Sequence, residues 1–110
     1  IFAYGDTIYV PCGKELPDHL IEHEGTHCDQ QGDHPDAWWD RYIADPYFRI
    51  DQEIAAYAKQ YRFVCIHEKD RNKRVRFLML LGNDLAGPIY GSIISQSKAF
   101  EMIKNKSGVK

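Results

Sequence analysis

Two histidines stand four residues apart around a glutamate in His23-Glu24-Gly25-Thr26-His27. On a helix that spacing stacks them about 6 Å apart along the axis, so both imidazoles can reach one divalent ion at roughly 2.0–2.1 Å. Glu24 is rotated about 100° from His23 and about 60° from His27. That puts its carboxylate beside such an ion, where it can take a proton from water.

Two rival pairings use the same helix. His19, His23 and His27 form a ladder, but its ends lie about 12 Å apart along the axis, too far for one coordination shell. His19-Leu20-Ile21-Glu22-His23 is also an inverted H-x-x-E-H pattern, the arrangement of a different class of zinc peptidases. The choice between pairs rests on a third ligand, for which Glu53 is the candidate. It projects from a later helix at the margin of an apolar stripe, where an uncompensated carboxylate costs several kcal/mol of hydration and a divalent cation is the strongest compensator. The plain alternative pairs Glu53 with Arg49, one turn earlier.

These side chains need elements to carry them. Phe2–Val10 reads as two short β segments around the turn dipeptide Gly5-Asp6, a predicted hairpin. A helix over 17–31 follows, opened by Pro17-Asp18 and stopped by Gly32. Trp38, Trp39, Tyr42 and Ile43 recur at one-turn spacing and predict a short helix between two loops. The clearest helix covers 49–67, where Ile50, Ile54, Tyr57, Tyr61 and Val64 or Cys65 recur every three or four residues. Residues 73–82 predict another helix, closed by Gly82, and residues 95–106 a terminal helix capped by Ser95 or Ser97. Hairpin then helices makes the class α+β, predominantly helical, and 110 residues suffice for one domain spanning 1–110.

Composition narrows the function. A net charge of −2 and a pI near 6.2 offer no global attraction to nucleic acid or anionic lipid. The local basic run Lys69–Arg76 reads first as a solvated loop and helix start, which ranks nucleic-acid binding last. No apolar run approaches the roughly 20 residues that span a bilayer, so no membrane partner is expected. Cys12, Cys28 and Cys65 leave an unpaired thiol and lack CxxC spacing. With no charged segment followed by an apolar one at the start, a reducing compartment is expected, the cytoplasm. Cys28 points off the ligand face and reads as a small core residue. Gly25 inside a helix costs up to about 1 kcal/mol and suggests another segment passing close over the motif.

His23-Glu24-x-x-His27 on one helix, followed by Glu53 within Arg49–Tyr57 on the next long one, resembles the gluzincin zinc metallopeptidases. The length is similar to that of minigluzincins, or of small phage-borne or bacterial peptidase domains. The resemblance covers roughly residues 5–65. It implies a zincin-like fold, one Zn2+ held by His23, His27 and Glu53, and Glu24 as general base activating the zinc-bound water and then protonating the leaving amine. It also implies an edge strand, here Thr7, Ile8, Tyr9 and Val10, that binds an extended peptide or protein substrate by strand addition. An oxyanion donor is expected from Tyr42, Tyr47 or Tyr90. The chain departs from larger gluzincins at Tyr57, where they often carry an acidic residue that orients a histidine. Gln60, Asp51 or a backbone carbonyl must then serve. The large second lobe with its proton-donor histidine is not expected at this length, and His34 and His67, which could fill part of that role, each read first as a lone surface histidine.

The competing expectation is a non-catalytic module in which the same zinc staples a small core. An open fourth coordination position separates the two. A fourth protein ligand such as Cys12, Asp29 or His34 would mark a closed structural site.

Overall fold

The computed structural model describes residues Ile1–Lys110. Strands β1 (Phe2–Tyr4) and β2 (Thr7–Tyr9) pair antiparallel with Phe2 opposite Tyr9 and Tyr4 opposite Thr7. Gly5 supplies the positive φ of 61° that the tight turn requires. Three paired residues cannot hold a hairpin by themselves. Side chains from the helices do it instead: the Gln31 amide donates to the Ala3 carbonyl (2.9 Å) and its oxygen accepts from the Gly5 N–H (2.8 Å). Trp39 donates to the same carbonyl at 3.0 Å, and the Tyr4 hydroxyl donates to Asp36.

Five α-helices follow: α1 (Asp18–Gln31), α2 (Pro35–Ala44), α3 (Pro46–His67), α4 (Arg71–Leu85) and α5 (Gln96–Ser107), with one 3-10 turn at Pro88–Tyr90. The fold is therefore α+β and predominantly helical. Helix α3 begins three residues before the predicted start, because Asp45 caps it by accepting from the N–H groups of Tyr47 and Phe48, and Pro46 fills the first helical position. Asp70 caps α4 in the same way, and Ser95 rather than Ser97 caps α5. Gly82 does not close α4. It lies inside the helix, where a Cβ would stand 3.3 Å from the Phe100 backbone nitrogen, so it permits the close approach of α5.

Ile50, Ile54, Tyr57 and Tyr61 on α3 meet Leu78, Leu81 and Leu85 on α4 and Ala99 and Ile103 on α5, forming one buried cluster. That stripe is the one the periodicity of α3 predicts. Its neighbouring face, carrying Glu53 and Gln60, turns toward α1, so one helix both builds the core and furnishes the candidate site. No helix is long and apolar enough to cross a membrane.

Candidate metal centre

His23, His27 and Glu53 are each about 95% buried or more, and one ligand atom from each lies within 4.8 Å of the others. The Oε1 atom of Glu53 stands 3.1 Å from His23 Nε2 and 3.2 Å from His27 Nε2. A tetrahedron with bonds of about 2.0–2.1 Å has edges of about 3.3 Å, so these separations suit a shared ion. Arg49 is occupied elsewhere, donating to the carbonyls of Tyr42 and Ile43 at the end of α2. The plain pairing of Glu53 with Arg49 is not formed.

The groups behind the ligands fix their orientation. Gln30 donates its amide to the Gln52 carbonyl (3.0 Å), which leaves its oxygen to accept from His27 Nδ1 at 2.8 Å. Gln60 presents its oxygen to His23 Nδ1 at 3.0 Å and its amide to His19 Nδ1 at 2.8 Å. With each Nδ1 used as a donor, neutral rings turn lone pairs, not protons, toward Glu53 Oε1. Three electron-pair donors around one point need a cation between them: protons on the imidazoles of the free chain, or a metal ion. Two imidazoles and a carboxylate are donors that zinc accepts.

Electrostatics agree with that picture. Burial pushes the Glu53 carboxyl up, but the hydrogen bonds and charge of His23 and His27 outweigh it and hold the group at about 2. Burial likewise lowers His27, yet its hydrogen bond to Glu53 prevails and leaves it raised. Glu24 is raised, chiefly by burial, which makes it a stronger base than an exposed carboxylate.

The cluster opens into a cavity of about 290 Å³ lined by Glu24, Trp38, Trp39, Tyr42 and Tyr90, and by Ile1, Phe2 and Ile89. Larger hollows elsewhere on the surface contain none of the three residues. Comparison of the chain with protein-family models, curated proteins and solved structures returns no match. The functional reading therefore rests on geometry.

The structure brings together most of the residues singled out from the sequence and displaces several. Tyr42 lies at the site, but its hydroxyl donates to Glu53 Oε2 at 2.6 Å, so its proton is committed to a ligand. Tyr90 faces the cavity with its oxygen 2.9 Å from the Tyr57 hydroxyl. Tyr47 is 79% exposed and away from the cavity. Thr7, Ile8 and Tyr9 form β2 and Val10 follows it, whereas the hairpin residues on the cavity wall are Ile1 and Phe2, on and before β1. His19 serves Gln60 and lies outside the three-ligand cluster, so the inverted pattern lacks its first histidine. Of the suggested supports for the histidines, Gln60 is in place and Asp51 is exposed. Tyr57 packs edge-on against His23, with ring centroids 4.6 Å apart.

Cys12, Asp29 and His34 are exposed and outside the cluster, as is His67, which bonds back to the Phe63 carbonyl. Cys28 is only half-buried. All three cysteines are free. No segment covers Gly25: a Cβ there meets nothing within 4 Å, so its presence records no close approach. Trp38 forms the cavity wall against His27, with ring centroids 5.4 Å apart. Gln30 is a support at which the sequence only hints. The signal is its position three residues after His27, one turn along the same face, which brings its amide to Nδ1.

Proposed function

We propose that the protein is a zinc-dependent peptidase that uses water to cleave a peptide or protein substrate. The observation that carries this reading is the count at the cluster: three protein ligands, none of Cys12, Asp29 or His34 as a fourth, and a cavity on the open side that Glu24 also lines. A structural zinc site is closed by four protein groups, and a catalytic one keeps a position free.

Bound zinc supplies a Lewis acid that polarises the scissile carbonyl and lowers the pKa of coordinated water to about 7. The chain's own residues do the rest. Glu24, raised by burial, accepts a proton from the attacking water and passes it to the departing amine nitrogen, so that water and peptide become acid and amine. Tyr42 holds Oε2 of Glu53, leaving Oε1 as the single ligand oxygen. Tyr90 can donate toward the developing oxyanion while its own oxygen accepts from Tyr57. Trp38 and Trp39 wall the reacting centre from solvent.

The test combines metal analysis with hydrolysis of an unfolded protein substrate. The chain is expected to bind about one equivalent of zinc, and Glu24→Gln to keep the metal while losing about 10²-fold or more of the rate. Stoichiometric zinc with no hydrolysis by either form would assign the site to a zinc-stapled structural module instead.

A further inference from the structure

The net charge of −2 conceals a division of the chain. Residues 1–58 carry three lysines and arginines against twelve aspartates and glutamates, and residues 59–110 carry eleven against four, a split of −9 and +7. The two halves do not neutralise each other by contact. Arg41–Asp45 is the only ion pair of any lysine or arginine, so every cation after residue 49 is unpaired.

The fold brings four of those cations, Arg71, Arg74, Lys104 and Lys110, together at one end of the α4–α5 pair. Helices α4 and α5 lie antiparallel, as Gly82 against Phe100 and Arg71 and Arg74 beside Lys104 and Lys110 require. Along the outer side of α4, Lys73, Arg76, Met79 and Leu80 follow at steps of three and four residues. Met79 and Leu80 are 53% and 55% exposed. Val75 joins the cationic hollow at this end to a neighbouring apolar groove formed with Met79 and Phe100.

From this we propose that the α4–α5 face docks on an anionic lipid bilayer, with the cations at the headgroups and Met79 and Leu80 entering the boundary below them. A nucleic acid would satisfy the cations but leave these apolar side chains against a charged backbone. A bilayer interface accepts both kinds of group. The proposal holds whether or not the cavity around Glu24 hydrolyses peptides.

The experiment is co-sedimentation of the full chain with phosphatidylcholine vesicles, with and without phosphatidylglycerol, at low and high salt. Binding is expected only with phosphatidylglycerol and is lost at high salt. Lys73→Glu with Arg76→Glu should weaken it roughly thirtyfold or more. Met79→Gln with Leu80→Gln, which leaves the charge unchanged, should weaken it roughly tenfold. Lys14→Glu, in the acidic half, should have no comparable effect. Equal binding to vesicles lacking phosphatidylglycerol, or none to either, overturns the proposal. So does binding to a DNA duplex that the Met79 and Leu80 substitutions leave intact, or salt-sensitive self-association abolished by Lys73→Glu with Arg76→Glu, which would give the face to a second copy.

Discussion

Replacing Tyr42 with phenylalanine separates two roles that the sequence could not distinguish. An oxyanion donor acts on substrate, so its loss lowers the hydrolysis rate and leaves metal affinity alone. A hydroxyl bound to the ligand carboxylate acts on the metal. The 2.6 Å contact from Tyr42 to Oε2 of Glu53 favours the second. Glu53 is 3% exposed and held ionised, so the bond is charge-assisted and shielded from water. Such bonds contribute about 1.5–3 kcal/mol. Phenylalanine keeps the ring stacked on Trp38 and opens no cavity, so the loss is confined to that one bond. At about 1.4 kcal/mol per decade the expected weakening is roughly ten- to hundredfold in zinc affinity, less whatever share appears as lower stability of the metal-free chain. Chelator competition reads the first quantity and thermal melting of the metal-free protein the second. An unchanged affinity and melting temperature beside a large fall in hydrolysis rate would refute the reasoning and return Tyr42 to the substrate side. Tyr90→Phe provides the contrast, with affinity kept and rate reduced.

Glu53→Ala should weaken zinc binding far more than His19→Ala, which removes only the support of Gln60; the reverse order in a zinc titration would restore the inverted H-x-x-E-H pairing. The two helical glycines should respond with opposite signs: Gly25→Ala, with open space around the new methyl, should stabilise by up to about 1 kcal/mol, whereas Gly82→Val, pressed on the Phe100 backbone, should cost about 1–3 kcal/mol, both read from melting curves. Acidity should oppose the metal. The pKa of His27 is raised above the usual value of about 6.5, so its interaction with Glu53 stabilises the metal-free chain below that pH and is lost as pH rises through the raised value. Zinc must expel that proton, so affinity should fall about tenfold per pH unit on the acid side. Calorimetry in buffers of different ionisation heat should show the proton released, and a pH-independent affinity would exclude His27 as a ligand.

Much of the site is legible in the sequence because it obeys local rules. A four-residue step on a helix brings His23 and His27 together whatever surrounds them, and the apolar stripe of α3 predicts both the core and a carboxylate at its edge. The cap Ser95 is visible for the same reason, since it acts on backbone within three residues, whereas the caps Asp45 and Asp70 lie before the predicted starts of their helices. Gly25 and Gly82 show the limit. One glycine has nothing near it and the other admits a neighbouring helix, a difference made by α5 and invisible in α1 or α4 alone. Contacts between distant segments decided the rest: that Glu53 takes two histidines in place of Arg49, that Tyr42 serves the carboxylate, that Gln60 orients His23, and that β1 rather than β2 borders the cavity. Sequence alone determined which side chains share a helical face, because backbone geometry sets that over four or five residues. Which faces meet depends on how helices of different sequence pack across the core, and only the tertiary structure holds that information.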